Sequence, residues 1–457
     1  MGKKVLLVFC TLCVFSLPAL GSGFPDTYAF SVRSLALGGA FTAVADDFSA
    51  AYYNPAGLAQ FTGNRVNLEY IYTSPKIDVQ TLDGEDLVIR LSNGQVKNNP
   101  TEYKGGSGLD LRIPIIGLAI DINEVVKLPL HCELGLAISM PEKSDVMYRI
   151  MAYPPDQPHF FRYGNDIDRI HAALGLGFEL VKDLVYFGVG GQIMLYGDGK
   201  IYIDGMTIGV DEENQNVVSQ VKQSSLIAFD PSVGIMVTPF EKKLKIGFSY
   251  RDKEEVEIDP LPTVISVDGL PAANLAMAMG MNAFFTPSEY SLGVSYDFGP
   301  VLVSGEANLQ KWSDYEFSPQ DSAADVTGQY FFVGDPDFDD TVNYRLGVEI
   351  KLNDKGSVML GYCHLPTPIP DQSGKVTNYI DMDKDMFSLG GKYAFMVPAL
   401  NKPMTIEGVF QYQKLKSYTV YKDGITGDDG GFTWRDQVSY EVSGDAYAGG
   451  VSIGLAW

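Results

Sequence analysis

The sequence is short of the residues that usually carry chemistry. It has four cysteines and four histidines in 457 residues. His131, His159, His171 and His364 are scattered, with no cysteine or carboxylate at a spacing that suggests a metal. No nucleophile signal rises above background, so neither an enzyme nor a cofactor is expected. A rim hydrolase is the remaining enzyme reading, and it would show a histidine paired with a serine or aspartate at the outer edge. Basic residues are also in deficit, 34 Lys and Arg against 57 Asp and Glu, for a formal charge of −23. That excludes a nucleic-acid-binding surface, which needs a basic excess. Beyond the first 21 residues no apolar run reaches 18, so no helical anchor is expected.

What is present begins with a leader. Lys3 and Lys4 precede an apolar run from Val5 to Leu17, and Ala19-Leu20-Gly21 supplies small residues for cleavage, which predicts a signal peptide over 1–21. Cys10 and Cys13 would leave with it. Of the remaining cysteines, the strand registers point Cys132 toward lipid and Cys363 toward the lumen, so no disulfide is expected. Aromatics make up 12% of the chain and glycine contributes 48 residues, a mix suited to strands with aromatic girdles and small inward residues.

Runs of about ten alternating residues then follow one another. Tyr290, Leu292, Val294, Tyr296 and Phe298 share one face opposite Ser291, Gly293, Ser295 and Asp297. Leu244, Ile246, Phe248 and Tyr250 alternate with Lys245, Gly247, Ser249 and Arg251, and Tyr344 to Ile350 with Arg345 to Lys351. Short turns, such as Asn123–Lys127 and Asn353–Gly356, alternate with long polar links. That asymmetry predicts a transmembrane antiparallel β-barrel of about 14 strands over 63–457, with its tight turns in the periplasm. Trp457 ends an alternating last strand and resembles the signal by which the barrel-assembly machinery recognises outer-membrane barrels.

Residues 22–62 have no such alternation. Asp46 and Asp47 can cap a turn through Tyr53, and Asn54 a second turn with Pro55 at its first position. RSLALGGAFTAVADD followed by YYNPAGLAQF resembles the N-terminal hatch of the FadL/TodX family of outer-membrane transporters for hydrophobic compounds. ANLQKWSDYEF from Ala307 and the hairpin from Asn343 are similar to later strands of that family. The resemblance implies a plug inside a barrel, passive uptake of long-chain fatty acids or related hydrophobic molecules, and lateral release past the hatch. It places Asn54, Pro55 and Ala56 at the hatch turn. Aromatic-hydrocarbon uptake is the alternative within the fold. A PorV-type secretion or assembly adaptor, whose hatch is also similar, is the alternative outside it.

Ligand contacts are expected in the apolar stretch Leu261 to Phe285, with Leu275, Met277, Met279, Met281, Phe284 and Phe285. Its composition predicts an extracellular loop with a short helix over Ala272 to Asn282. Inward-facing Lys245, Arg251 and Arg345 are candidate partners for a fatty-acid carboxylate, or for neighbouring acidic residues. Pro114 and Gly117 are candidates for a bulge that opens the wall. The expected partners are hydrophobic small molecules, outer-membrane lipid and lipopolysaccharide, around a monomer.

Overall fold

The computed structural model describes residues 24–82, 87–90, 96–99, 102–104, 110–140, 147–149, 159–160, 162–163, 170–195, 199–202, 218–221, 227–265, 275–315, 337–373, 379–422 and 438–457. The expected leader lies outside them. The alternating runs fold into fourteen strands that close into a cylinder. They are β1 (Arg65–Thr81), β2 (Leu111–Asp121), β3 (Cys132–Ser139), β4 (His171–Val181), β5 (Val185–Leu195), β6 (Ile227–Val237) and β7 (Leu244–Arg251). The second half comprises β8 (Glu289–Asp297), β9 (Val301–Gln310), β10 (Thr341–Lys351), β11 (Gly356–Leu365), β12 (Lys384–Val397), β13 (Lys402–Lys422) and β14 (Val438–Ala456).

Every neighbour is antiparallel, and β14 returns to β1 from Ala456 opposite Arg65 to Tyr440 opposite Thr81. Backbone hydrogen bonds between Asn64 and Trp457, at 2.9 and 3.1 Å, continue that seam by one residue. Closure matters because the bilayer offers no water to an unpaired strand edge. The two faces separate as the alternation requires. Leu292, Val294, Tyr344, Leu346, Val451 and Ile453 are exposed on the outside, while Ser291, Glu306, Asn308, Arg345 and Ser452 are buried within. Cys363 is on the inward row. Cys132 keeps the outward register but is buried at the turn end, where Asn123 accepts its N–H at 2.8 Å, and both thiols are free.

Three expectations change. The long links are not irregular throughout. Glu254–Ile265 pairs antiparallel with Leu275–Thr286, so the expected helix over Ala272 to Asn282 is, from Leu275 on, a strand. Leu275, Met277, Met279 and Met281 recur every second residue, a strand period that outweighs the helical preference of Ala and Met. Pro114 and Gly117 mark no bulge. β2 pairs with β1 without a shift from Leu111 to Ala119. The Pro114 carbonyl accepts from Met140 N–H, and Gly117 has another role described below. Register shifts occur instead at Val185/Tyr186 and at Leu415/Tyr418. Asp47 does organise the turn before Tyr53, accepting from the N–H and hydroxyl of Ser49, but Asp46 turns away to Arg33.

The wall is uneven in height. β3 and β7 have 8 residues each, β13 has 21 and β14 has 19. At roughly 3.3 Å per residue, the tall strands stand well above an apolar band of about 25 Å, even when tilted. The inner face of that extension is not bare. Ile77, Val79, Leu415, Val420, Tyr440 and Val442 pack on Tyr163, Ile380 and Met382, which come from two long links.

Candidate functional site

Residues 24–61 lie inside the cylinder, nearly all buried. Three short helical pieces, Phe24–Tyr28, Val32–Ala36 and Ala50–Tyr53, lead to a 3-10 turn, Pro55–Gln60. Each piece is too short to hold itself together in water, so its stability comes from the wall. Ser31 caps the second piece through a reciprocal Ser31–Ser34 box, and Gly39 N–H closes its far end on Ser34 carbonyl at 2.8 Å. Gly38 and Gly39 have φ of +64° and +77°, which a β-carbon disfavours, and this accounts for the Gly-Gly-Ala motif.

The wall meets this segment with glycine. A β-carbon on Gly188 would sit 2.1 Å from the Pro55 carbonyl carbon, and one on Gly361 would sit 2.1 Å from Gly38 N. Gly117 meets Phe48, Gly247 meets Thr42, and Gly293 meets Ala43. Gly177, Gly188 and Gly234 are neighbours across three strands, as are the pairs Gly247–Gly293 and Gly347–Gly361. Neighbouring strands thus form a smooth belt that lets backbone pack on backbone. The alternation already placed Gly247, Gly293 and Gly347 on the inward row; their role required knowing what they face.

Polar contacts fix the segment's register. Glu69 accepts from Val32 N–H at 2.7 Å, and Glu306 accepts from Phe41 and Thr42 N–H at 2.8 and 2.6 Å. Asn54 caps its turn by accepting from Ala56 N–H, and its amide donates to Thr42 carbonyl at 2.9 Å and to Ile235 carbonyl at 3.4 Å. Pro55 starts the 3-10 turn as expected. Arg33 reaches Asp46 at 2.5 Å, Glu349 at 3.5 Å and Asp47 at 3.8 Å. Burial alone would make the Asp46 carboxyl harder to ionise. The charges of Arg33, Lys245 and Lys392 outweigh it and hold the group well below the usual carboxylate range.

The candidate carboxylate partners all face inward, and each stands among acidic groups. Arg251 pairs with Glu289 at 3.1 Å, donates to Tyr52 carbonyl and stacks on the Tyr52 ring at 4.0 Å. Arg345 lies 3.4 Å from Glu306 and donates to Gly39 carbonyl. Lys245 adds its charge to the field at Asp46. Of the apolar stretch, the Phe285 ring packs on Trp312 and Tyr315, which join Phe338, Ile369 and Tyr379 in an aromatic cluster drawn from several links. The side chains of Leu275, Met277, Met279, Met281 and Phe284 lie outside the described residues. Trp457 sits on the outward row at the seam.

Beside the segment is a narrow crevice of about 10 Å³, room for a single water, whose lining includes Leu35, Tyr53, Arg345, Cys363, Met386 and Gln411. Two features bear on catalysis. His364 does pair with Asp385 at the outer edge, at 3.0 Å, but on the outward row, with Tyr362 as the other partner of that carboxylate. Against the expectation that the chain has no Gly-x-Ser-x-Gly, Gly450-Val451-Ser452-Ile453-Gly454 has the spacing of a nucleophile elbow, yet it lies within β14, where Ser452 donates to Glu69 at 2.9 Å. A strand residue with that contact lacks the strand-to-helix turn an elbow requires.

Comparison with known proteins agrees with this geometry. Alkane uptake protein A of Marinobacter nauticus is 19% identical over 418 residues, 90% of this chain and 86% of the relative. The crystal structure of a Pseudomonas aeruginosa FadL homologue superposes with a TM-score of 0.61 at 16% identity, covering 96% of this chain and 99% of that one. The CymD monoaromatic hydrocarbon channel gives 0.52 at 12% identity, with 94% and 97% covered. The model of the outer membrane protein transport protein family (OMPP1/FadL/TodX) matches residues 19–455, so this chain belongs to that family of outer-membrane barrels for hydrophobic compounds.

Proposed function

We propose that this barrel passively takes up long-chain hydrophobic molecules, fatty acids first, and that residues 24–61 are its hatch. The observation that carries the reading is the interior itself. An apolar segment fits a belt of wall glycines and is tied to the wall by side-chain hydrogen bonds, so it blocks the lumen without being part of the wall. A solute captured at the aromatic cluster around Trp312 meets apolar groups at the mouth and again at the crevice beside the segment. Onward movement requires a shift of the segment, with Asn54, Pro55 and Ala56 at the turn that moves. No energy source is needed, because partition from water into hydrocarbon is downhill. The alkane uptake relative favours a second substrate, the neutral long-chain hydrocarbon.

The test is uptake of labelled palmitate and labelled hexadecane by a host lacking its own fatty-acid porin, expressing this chain or a deletion of residues 54–56. Restored uptake that falls in the deletion supports the reading. A surface-exposed, folded barrel that restores uptake of neither probe overturns it.

A further inference from the structure

A small buried charge cluster stands above the segment, apart from the contacts that hold it. Asp381, on the link between β11 and β12, is turned into the barrel between Ile380 and Met382, all three buried. Two cations converge on its carboxylate. Lys384 Nζ lies 2.9 Å from Oδ1, and Arg162 Nη1 lies 3.5 Å from Oδ2. The side chains of Asp381 and Lys384 are fully buried, and that of Arg162 is 5% exposed. Lys384 also lies over the Tyr163 ring at 4.7 Å, while Arg162 lies over Trp312 at 5.0 Å and donates to Pro366 carbonyl at 3.2 Å.

The cluster is unbalanced in two ways. Among the described residues it holds two positive charges and one negative, and a buried excess charge is costly unless a counter-charge meets it. Its hydrogen bonding is also incomplete. Lys384 Nζ, Arg162 Nη2 and both Asp381 oxygens lack a partner of good hydrogen-bond geometry among the described residues. The position adds meaning. Arg162 bridges to Trp312 of the aromatic cluster at the mouth, and Lys384 is one inward step along β12 from Met386, which lines the crevice below.

We infer that Asp381 is a tethered stand-in for the head group of an anionic amphiphile, and that it keeps residues 379–383 folded into the mouth until a free carboxylate replaces it. An incoming carboxylate offers Arg162 and Lys384 the same charge with freely adjustable geometry, and its tail is apolar like Ile380 and Met382, the side chains that the strap would withdraw. Displaced, Asp381 loses both cations that meet it among the described residues and leaves for water with its strap. A neutral hydrocarbon cannot make this exchange. The strap therefore discriminates by charge, which the closed wall does not. This rests on the uptake reading above and makes it specific for carboxylates.

The test places a thiol on the strap. Met382→Cys, in the full chain with Cys132→Ala and Cys363→Ala so that the strap carries the single thiol, is probed in lipid nanodiscs by maleimide labelling with palmitate, with hexadecane, or alone. Palmitate is expected to speed labelling about tenfold or more over hexadecane, in line with competition against a tethered group at millimolar effective concentration. Asp381→Asn in the same background is expected to label fast without any addition. Arg162→Gln with Lys384→Gln is expected to erase the difference between the two probes. Asp381→Glu retains the carboxylate and should retain the preference, which separates exchange from a general loosening of the fold. Equal acceleration by both probes, or slow labelling of the Asn variant, overturns the inference while uptake stands. Should neither probe be taken up by cells, the uptake reading itself fails, and this inference with it.

Discussion

The barrel interior is filled in two places, by residues 24–61 and by residues 379–383, and the two fillings are built differently. Residues 24–61 fill it by fit: backbone on glycine, carboxylates of the wall on backbone N–H, and an Arg33 cluster that joins segment to β10. The strap at 379–383 fills it with a few apolar side chains and one unbalanced charge cluster. A filling held by close packing resists partial change, because interiors are packed too densely to yield gradually. A filling held by charges can be exchanged one ion for another. The comparison implies that the strap responds to the solute, whereas the segment moves as a body.

That contrast can be broken most sharply at Arg33. Arg33→Met leaves Asp46, Asp47 and Glu349 without their common cation. Removing one partner from a buried charge cluster costs about 3–5 kcal/mol. Urea unfolding of the purified barrel should show a loss of that order, with early protease cleavage within 24–61. The acid response follows from Asp46. Its carboxyl is held low in the folded chain, so its stabilisation is complete above about pH 4, the ordinary aspartate value, and is lost as pH falls below it. Asp46→Asn should flatten that acid limb, measured as the urea midpoint between pH 6 and pH 3.

Next is the glycine belt. Gly188→Val forces a side chain into the Pro55 carbonyl, an atom of the backbone that cannot rotate away. Overpacking of this kind costs about 3 kcal/mol or the expulsion of the segment. Either outcome is visible as protease cleavage within 24–61 while the barrel stays heat-modifiable on a gel. The same substitution at Gly305, whose β-carbon would meet only Leu346 at 3.5 Å, should leave the segment in place. Equal cleavage in both variants would mean that the belt is not what seats the segment. Glu306→Gln is milder. It keeps an acceptor for Phe41 and Thr42 but removes the charge opposite Arg345, a loss of about 1–2 kcal/mol in the same unfolding assay.

The wall was legible in the sequence because its rule is local. A period of two sorts Leu292 from Ser291 and Leu346 from Arg345 without knowledge of any partner. The contacts that define the interior are not local. Glu306 falls on the polar row of β9, opposite Val303 and Ala307, yet nothing around it tells that it accepts from Phe41 and Thr42 N–H. Arg251 and Arg345 had the right facing, and their acidic neighbours on the adjoining strands decide what they do. The Met-rich stretch was misread where composition and period disagree: Ala and Met favour helix, while Met277, Met279 and Met281 keep the period of a strand. The charge cluster at Asp381 was invisible, since Arg162 and Lys384 meet only once the links have folded over the mouth.

The smallest effect is expected at the Asn54-Pro55-Ala56 turn. Asn54→Ala removes the acceptor for Ala56 N–H and the donor to Thr42 and Ile235 carbonyls. A lost cap costs about 1 kcal/mol, and Pro55 still presets the turn that follows. The segment should therefore stay seated and the urea midpoint should move only slightly. Uptake is the more sensitive readout, because Asn54 bridges three pieces: its own turn, the turn at Thr42 of the segment, and β6 of the wall. If the turn is the moving part, losing that bridge makes the shift easier, and Asn54→Ala should leak a small hydrophilic dye that the parent excludes. A variant as tight to dye as the parent, with the same uptake rate, would show that Asn54 only builds the turn and that the segment moves about some other point.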